Sequence, residues 1–340
     1  VTLPYSAIFR NRGVAFLKAY VEDIDFDRGL VRTDSGEIGY AYLLVALGSQ
    51  PNYYGIPELP EHAFPLKTFE DAIMIRNRLA DILNKRESGR IIVGGAGVSG
   101  VEFAAELRGL VRHLSAKHGR RPENYQIVMV EGATDFLPNL TEKAAQAVSA
   151  RLKDRFNIET RFSTLITEAG SGYVTLNNRE RLDCDLLVWT GGIRSVRLPA
   201  FSALERDKTD RIVVTENLNL KKHPNVFFAG DMTGLRNWET KKPLPQTKTE
   251  AISQGRHAAK NILRMIDRGR PLPYSSTQSG YAFQVGGRYA VYHSKDLIMS
   301  GWLAWLIKRW KDWLYLRSVM PFSKAAKVWI IGSEIFIKND

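Results

Sequence analysis

Three glycines at a fixed spacing are the residues of this sequence best suited to bind a ligand. Gly95, Gly97 and Gly100 form the pattern G-x-G-x-x-G, which follows the apolar run Ile91–Val93 and precedes the helix-forming run Glu102–Leu107. In such a pattern the first glycine permits a tight turn, the second lets backbone N–H groups approach a phosphate, and the third packs a helix on a strand. The spacing therefore predicts a dinucleotide pyrophosphate bound at a helix N-terminus.

A carboxylate at the end of the next apolar run refines this prediction. Glu131 follows Ile127–Val130, and a carboxylate there can accept hydrogen bonds from ribose hydroxyls and repel a 2′-phosphate. The separation from Gly95 exceeds the usual spacing of about 20 residues, so a long helix and the loop 120–124 must fill it. The pattern favours NADH over NADPH. The alternative is a surface carboxylate at a strand end.

A second pair of apolar runs also ends in glycine. Gly230 and Asp231 follow the run Val226–Ala229, and Gly48 follows Leu43–Leu47, a run typical of a strand buried on both faces. Glycine admits a cofactor close to the backbone, and the aspartate can hydrogen-bond a ribityl hydroxyl. These residues therefore predict a flavin site separate from the first glycine pattern.

The elements that must position these residues alternate between strands and helices. Periodicity and end signals predict helices over 69–83, 98–118, 142–156 and 249–265, and strands over 14–17, 18–25, 29–33, 43–47, 91–93, 127–130, 186–190, 212–214 and 226–229. From residue 90 to residue 190 the alternation predicts a parallel sheet with right-handed crossovers, and hence an α/β fold.

Composition excludes several classes of function. The single cysteine, Cys184, cannot form an intramolecular disulfide, and no Cys/His cluster offers a metal site. A reduced, intracellular location is expected. The net charge of +12 suits an anionic cofactor, a membrane surface or nucleic acid, but no nucleic-acid motif is present. The longest candidate for a spanning helix, 297–307, has eleven uncharged residues before Lys308 and Arg309 and is too short to span a bilayer.

The C-terminal region combines tryptophans with basic residues. Five of the seven tryptophans lie there among lysines and arginines, namely Trp302, Trp305, Trp310, Trp313 and Trp329 with Lys308, Arg309, Lys311, Arg317, Lys324 and Lys327. This pattern predicts a helix on a membrane surface, with indoles at headgroup depth and cations facing anionic lipid. A dimerisation helix or a core stripe is the alternative.

Together these motifs resemble the flavoprotein reductases with two Rossmann-like dinucleotide-binding domains, the NAD(P)H domain being inserted in the FAD domain. Two further features resemble the type II NADH:quinone oxidoreductases. Glu102 stands where that family places a glutamate close to the nicotinamide. Residues 245–255 are similar to its AQxAxQ quinone segment, in which Gln254 matches but Thr249, Glu250 and Ile252 depart from the pattern.

The resemblance implies an α/β fold with a C-terminal amphipathic helical element, the cofactors FAD and NADH, and a quinone as acceptor. It places Glu102, Glu250 and Gln254 in the catalytic region, and it implies hydride transfer to FAD and two-electron transfer to quinone without proton pumping. The implied location is the cytoplasmic face of the cell membrane, bound peripherally, with a homodimer as one option. The implied domains are 1–64 (FAD), 65–192 (NADH), 193–270 (FAD) and 271–340 (membrane surface).

One part of the family pattern is missing, since no glycine-rich FAD motif precedes Leu43–Leu47 and the chain begins at Val1 without Met. An N-terminally truncated chain that holds FAD weakly is the expectation. Two alternatives stay open: a soluble reductase of ferredoxin or rubredoxin type, and a non-catalytic nucleotide-binding redox sensor. Sulfide:quinone and dithiol reductases need more cysteines than Cys184.

Overall fold

The computed structural model describes residues 5–9, 12–136, 140–237, 240–276, 280–294 and 297–339. Residues Val1–Pro4, where the sequence analysis expects a truncated chain to begin, lie outside the described residues. The chain forms two compact units. Unit 1 comprises the described residues of 1–13, 51–192 and 279–340, and unit 2 those of 14–50 and 193–278.

The described residues contain eight α-helices, three short helical turns of other types and twenty strands. The helices are α1 (Tyr5–Phe9), α2 (Leu59–His62), α3 (Phe69–Lys85), α4 (Val98–Lys117), α5 (Glu142–Ala150), α6 (Lys248–Ile266), α7 (Trp302–Val319) and α8 (Phe322–Ile337). The strands are β1 (Val21–Asp25), β2 (Leu30–Thr33), β3 (Gly36–Gly39), β4 (Leu43–Val45), β5 (Ser49–Pro51), β6 (Ala63–Pro65), β7 (Gly89–Gly94), β8 (Tyr125–Val130), β9 (Ile158–Arg161), β10 (Ile166–Gly170), β11 (Tyr173–Leu176), β12 (Arg181–Asp183), β13 (Leu186–Trp189), β14 (Ile193–Ser195), β15 (Ile212–Val213), β16 (Val226–Phe228), β17 (Thr233–Gly234), β18 (Gly280–Gln284), β19 (Ala290–Ser294) and β20 (Ile298–Gly301).

A five-stranded parallel sheet in the order β6-β13-β7-β8-β9 forms the centre of unit 1. Its strands are apolar on both faces because each face has its own core. Ile91 and Val93 belong to the core that contains residues of α3, α4 and α5, whereas Ile92 belongs to the core that contains residues of the β10–β12 sheet. The predicted parallel sheet and α/β fold are confirmed.

The C-terminal part of the chain packs within unit 1. An antiparallel sheet, β18-β19-β20, contributes Phe283 and Val291 to the core that includes residues of α4, and Val285, directly after β18, belongs to the same core. The helices α7 and α8 pack against each other, with the rings of Trp313 and Trp329 edge to face at 6.1 Å. The sequence analysis gave no strands after residue 229, so this sheet was not predicted.

The C-terminal tryptophans differ widely in exposure. Trp302 and Trp310 are 62% and 59% exposed, whereas Trp305 is 7% exposed. Arg309 was expected to face lipid, but it is buried between α7 and α8, where it donates to the Trp329 carbonyl and to Ser333. That expectation is wrong for Arg309, because α8 supplies acceptors that cover its guanidinium.

Unit 2 contains the antiparallel sheet β1-β2-β3 and three two-stranded pairs, β5 with β14, β15 with β17, and β4 with β16. The predicted strand 43–47 ends at Val45, and Leu47 is 40% exposed. Val45 is buried, whereas Leu44, on the opposite face of β4, is only half-buried, so the predicted burial on both faces is incomplete. No strand forms over 14–17, where Val14 and Phe16 are each 50% exposed.

The units have different bounds from the predicted domains. Residues 51–64 belong to unit 1, because β6 pairs with β13, and residues 279–340 belong to unit 1 as well. The predicted helix 142–156 ends at Ala150 and continues as a π-helical turn over Arg151–Arg155. The assignment of FAD and NADH to particular ranges stays a prediction.

A buried arginine ties α4 to the sheet. The Arg108 guanidinium is 3% exposed and donates to the carbonyls of Phe156, Pro122, Tyr125 and Asn157 at 2.8–3.0 Å. Burial, with Arg112 nearby, lowers the pKa of Arg108 to about 10, so the side chain stays charged at neutral pH. This one side chain therefore donates to four carbonyls outside α4, of which that of Pro122 also accepts from the Tyr125 N–H.

Replacing Arg108 tests this role in stability. Arg108→Met should lower the free energy of unfolding by about 3–5 kcal/mol, because buried carbonyls lose their donors. Arg112→Met is the control, since Arg112 donates to one carbonyl, that of Arg155, and its loss should cost about 1 kcal/mol or less. Urea denaturation measures both, and equal losses would contradict the role assigned to Arg108.

Candidate functional site

The glycine turn lies between β7 and α4. Gly95 has φ +103°, and a Cβ there would stand 2.6 Å from the Cα of Gly191. A Cβ on Gly100 would stand 2.0 Å from the Gly95 carbonyl oxygen, whereas a Cβ on Gly97 would meet nothing within 4 Å. Gly95 and Gly100 are therefore fixed by packing. Gly97 borders open space.

This open space fits the pyrophosphate of a dinucleotide. Gly97 is the N-cap of α4 and makes no side-chain cap, so the first N–H groups of a 20-residue helix face the space above it. The positive end of the helix dipole points the same way. Backbone groups, with no side chain in the way, can thus receive a phosphate at this end of the sheet.

The end of β13 closes the turn from the other side. Thr190 donates its hydroxyl hydrogen to the carbonyl of Gly94 or Gly95, at 2.9 and 3.0 Å. The Trp189 ring is so close to Gly94 and Gly191 that a Cβ on either would stand 2.6 Å from it. These two side chains were not identified as site residues from the sequence, because they follow a strand about 90 residues farther along the chain.

Glu131 contacts the turn directly. One carboxylate oxygen accepts from the N–H of Ala96 at 2.7 Å, and the other accepts from the N–H of Ala133 at 2.8 Å. The side chain therefore holds the turn between Gly95 and Gly97 against the end of β8. Each carboxylate oxygen can accept more than one hydrogen bond, so capacity for ribose hydroxyls is left.

Glu102, in the first turns of α4, joins this helix to the C-terminal part of unit 1. Its Oε1 accepts from the Gln284 backbone N–H at 2.8 Å and lies 3.4 Å from the Lys308 ammonium on α7. One turn on, burial raises the pKa of Glu106, whose other contacts include the Asn339 amide at 2.8 Å. Gln284, Lys308 and Asn339 were not predicted as site residues, because only folding brings them to α4.

In unit 2, two glycines border a small groove. Gly48 and Gly230 have φ +72° and +83°. A Cβ added to Gly48 would meet no atom within 4 Å, and one added to Gly230 would lie 3.5 Å from the Cβ of Ala251. The groove has a volume of about 360 Å³ and also includes Asp231 and Gln246. Ser49 donates to the Asp231 carboxylate at 2.6 Å. A groove bounded by glycines with a fixed carboxylate fits the ribityl region of a flavin.

Glu250 and Gln254 lie behind this groove and are each 2% exposed. The Gln254 side-chain oxygen accepts from the Gly230 N–H at 2.8 Å, and its amide donates to Glu250 at 3.3 Å. Tyr274 and Ser276 also donate to Glu250, each at 2.8 Å. Burial raises the pKa of Tyr274, which keeps it a donor. This network supports the backbone of the Gly230 turn.

The start of α6 is capped in the ordinary way. Thr247 is the N-cap, and its hydroxyl accepts from the Glu250 N–H at 3.2 Å. Gln246 donates to the Asp231 carbonyl at 2.7 Å. The segment resembling the quinone motif is therefore also a helix start that braces the Gly230–Asp231 turn.

The thiol of the chain is not placed for redox chemistry. Cys184 is 7% exposed, and burial raises its pKa to about 12, so it stays a protonated thiol at neutral pH. In the part of the chain that the structure describes, no group of three His, Cys, Asp or Glu residues could hold a metal ion.

The predicted site residues thus fall into two groups. Unit 1 brings Gly95, Gly97, Gly100 and Glu131 together at one turn, with Glu102 at the start of the following helix. Unit 2 brings together the other five, Gly48, Gly230, Asp231, Glu250 and Gln254. A glycine turn at a helix N-terminus and a glycine-bordered groove with a fixed carboxylate are the two kinds of site expected in the class of pyridine nucleotide-dependent flavoproteins.

Comparisons with known proteins agree with this class. The family model described as pyridine nucleotide-disulphide oxidoreductase matches residues 7–255. A type II NADH:quinone oxidoreductase of Staphylococcus aureus (strain NCTC 8325 / PS 47) is 31% identical over 278 residues, which are 78% of this chain and 69% of the relative. Another, from S. aureus strain MSSA476, is 29% identical over 91% of this chain and 79% of its own length.

The fold comparison agrees. A structure of NDH2 from Plasmodium falciparum in complex with NADH superposes with a TM-score of 0.83 at 16% identity, over 97% of this chain and 85% of that one. The sulfide:quinone oxidoreductase of Aquifex aeolicus superposes with a TM-score of 0.72 at 17% identity, over 94% and 79%.

The chain belongs to the type II NADH:quinone oxidoreductases, within the pyridine nucleotide-disulphide oxidoreductase family. The family resemblance inferred from the motifs is confirmed, and so is the prediction of an enzyme. The expected cofactors, FAD and NADH, are those of this family. None of the described helices is long and apolar enough to cross a membrane.

Two glycine variants separate packing from binding at the turn. Gly100→Ala should destabilise the protein by about 1–3 kcal/mol, because its Cβ would collide with backbone. Gly97→Ala should lower stability by only about 1 kcal/mol or less, as alanine is a poorer N-cap than glycine, but it should weaken NADH binding by about tenfold or more, because the methyl group occupies the space above the helix N-terminus. Thermal unfolding and NADH titration measure the two effects. Unchanged NADH affinity in Gly97→Ala would contradict the proposed phosphate position.

Proposed function

We propose that this chain transfers two electrons from NADH through FAD to a quinone at a membrane surface, without pumping protons. The observation that carries the proposal is the contact between Glu102 and Lys308. It links the helix that begins at the nucleotide turn to α7, whose exposed side is apolar and aromatic. The helix that begins at the NADH site would thus be joined to the membrane-facing helix by one ion pair within unit 1.

NADH would be held by backbone and by one carboxylate. Gly97 and the N-terminus of α4 would receive the pyrophosphate, with Gly95 and Gly100 keeping the turn tight. Glu131, while holding the N–H of Ala96, would accept from the ribose hydroxyls and repel a 2′-phosphate. The nicotinamide would lie toward Glu102, whose carboxylate is held by Gln284 and Lys308.

FAD, when bound, supplies hydride acceptance from NADH and electron transfer onward to the quinone. In unit 2, Gly48 and Gly230 would let the ribityl chain approach the backbone, and Asp231 would accept from its hydroxyls. Ser49 fixes the orientation of that carboxylate. The proposed electron transfer needs no side-chain nucleophile. Cys184, the one thiol of the chain, is buried.

Glu250 and Gln254 have a positioning role in this proposal. Resemblance to the AQxAxQ segment put them beside the quinone, but both are 2% exposed and their hydrogen bonds join the Gly230 N–H to Tyr274 and Ser276. Through Gly230 they would fix the flavin groove and so act on the acceptor indirectly.

The membrane surface would be met by α7 and α8. On α7, Trp302, Leu306, Trp310 and Leu314 recur every four residues and are 41–62% exposed. Exposed lysines on the same helices, such as Lys324 and Lys327, suit anionic headgroups. Peripheral binding at the cytoplasmic face follows from this proposal, and a homodimer is the other use of the same apolar stripe.

A comparison of two quinones tests the acceptor and the surface together. The FAD-loaded protein should oxidise NADH faster with a short, water-soluble quinone than without one. Trp302→Gln/Trp310→Gln should leave that rate unchanged but lower the rate with a long-chain quinone in vesicles by about tenfold, because two exposed indoles no longer partition into lipid.

The matched control is Phe69→Gln/Met74→Gln on α3, where the two side chains are 53% and 47% exposed. It should leave both rates unchanged. Absence of stimulation by either quinone would refute the acceptor. Loss of dimer mass with unchanged vesicle rates in the tryptophan variant would assign the stripe to dimerisation.

Glu131 determines which nucleotide is used. Glu131→Ser should reduce the preference for NADH over NADPH by about tenfold or more, because the carboxylate that bonds the ribose and repels the 2′-phosphate is gone. The ratio of kcat/KM for the two nucleotides measures it. Thermal unfolding records the separate cost of freeing Ala96 and Ala133. An unaltered ratio in a folded variant would rule out the ribose role.

A further inference from the structure

A tyrosine beside the carboxyl end of β13 has a backbone conformation that tyrosine rarely adopts. Tyr54 has φ +51°, and Gly55, which follows it, has φ +79°. The Ile56 N–H donates to the Tyr53 carbonyl at 3.0 Å, so residues 53–56 form a β-turn with positive φ at both central positions. Asn, Asp and Gly are preferred in such turns, because left-handed backbone is unfavourable for other residues. Local backbone preference therefore does not explain a tyrosine here.

The loop that carries this tyrosine is fixed to the end of β13. The Asn52 N–H donates to the Gly192 carbonyl at 3.0 Å, and the Trp189 indole N–H donates to the Asn52 carbonyl at 2.8 Å. The Asn52 side-chain oxygen in turn accepts from the Tyr54 N–H at 3.1 Å. The position of Tyr54 is thus determined by the fold of unit 1.

The Tyr54 side chain lies over the two glycines that follow β13. Its hydroxyl donates to the Gly191 carbonyl at 3.2 Å. A Cβ added to Gly192 would collide with that hydroxyl and would lie 3.1 Å from the adjacent ring carbon. The side chain is nevertheless 64% exposed. One edge of the ring is therefore held against the glycines, while most of its surface stays open.

The same glycines contact the nucleotide turn. A Cβ on Gly95 would lie 2.6 Å from the Cα of Gly191, and Gly191 accepts the hydrogen bond of the Tyr54 hydroxyl. The open face of the tyrosine ring therefore stands next to the turn that would hold the pyrophosphate, on its β13 side.

The strand order indicates which half of NADH lies on that side. The strands run in the order β13-β7-β8, and a dinucleotide lies across the carboxyl ends of such strands. Glu131, after β8, would accept the adenosine ribose, and the turn after β7 would hold the pyrophosphate. Since neighbouring strands are about 4.8 Å apart, the remaining half would extend over the end of β13. That half carries the nicotinamide.

We propose that Tyr54 binds the nicotinamide half of NADH, with its ring packed against the nicotinamide. An aromatic ring offers a flat surface on which another ring can stack. The unfavourable backbone of Tyr54 then has a reason, because the turn places the ring at this position. This inference rests on the NADH site proposed above, and it adds a side-chain contact for the half of the nucleotide that reacts.

Two ligands separate a nicotinamide contact from a general effect on the site. ADP-ribose has the adenosine, the pyrophosphate and the second ribose but lacks the nicotinamide. A tetrahydro analogue of NADH keeps that ring but cannot transfer hydride. In the FAD-loaded full chain, Tyr54→Ala should weaken binding of the tetrahydro analogue about tenfold and binding of ADP-ribose less than about twofold. Calorimetric titration measures both dissociation constants.

Three further variants isolate the ring from the turn. Tyr54→Phe keeps the ring and should retain most of the affinity for the tetrahydro analogue. Tyr54→Asn suits positive φ, so its Tm should be no lower than that of the wild type, yet it should lose affinity as Tyr54→Ala does. The matched control is Tyr20→Ala, which removes a tyrosine of unit 2 that is 72% exposed and should leave both affinities unchanged.

The contradicting outcomes are distinct. Equal weakening of both ligands in Tyr54→Ala would show that Tyr54 supports the glycine turn and would overturn the nicotinamide contact. Wild-type affinity for the tetrahydro analogue in Tyr54→Asn would overturn it as well, since that variant has no ring. A wild type that binds neither ligand would refute the proposed NADH site itself, and with it this inference.

Discussion

The close approach of three backbone segments at the glycine turn is the constraint on which unit 1 depends. The end of β7, the start of α4 and the end of β13 meet where a Cβ on Gly95 or Gly100 would lie 2.0–2.6 Å from backbone atoms. Such contact leaves no room for side chains, so the helix N-terminus opens directly at the sheet edge. Glu131 then fixes the turn through the N–H of Ala96. Sheet, helix and nucleotide site are consequences of the same packing.

In unit 2, the turn that borders the groove is held in place by hydrogen bonds from buried side chains. Gly48 and Gly230 border its groove, and the Gly230 turn is supported by buried Gln254 and Glu250, which Tyr274 and Ser276 satisfy. The Glu250 carboxylate is only 2% exposed. Its burial is tolerated because both of its oxygen atoms accept hydrogen bonds. Replacement of the first glutamine of the family segment by Glu250 is therefore compatible with packing, since hydroxyl donors surround it.

The elements and motifs that could be predicted from the sequence are those formed by residues close together in the chain. The glycine turn, α4, α6 and three strands of the parallel sheet, β7, β8 and β13, were predicted because their residues are neighbours in the chain and their periodicity is strong. The two edge strands of that sheet, β6 and β9, were not predicted. The contacts Glu102 to Lys308 and Ser49 to Asp231 were not predictable, since each joins residues more than 180 positions apart. The β18–β20 sheet and β3 were missed for another reason, because their short runs include exposed and polar residues. Arg309 shows that a basic residue in a tryptophan-rich helix can be core.

The attachment of the C-terminal helices to α4 has a mechanical consequence. Glu102 contacts Lys308 on α7, and Glu106 accepts from Asn339 just after α8, so the two anchor points lie one turn apart on one helix. One anchor would act as a pivot, whereas two resist rotation about it. Since both anchors lie within the first three turns of α4, a torque on α7 and α8 would reach the glycine turn through that short stretch of helix. The orientation of that turn is thereby coupled to whatever surface holds the C-terminal helices.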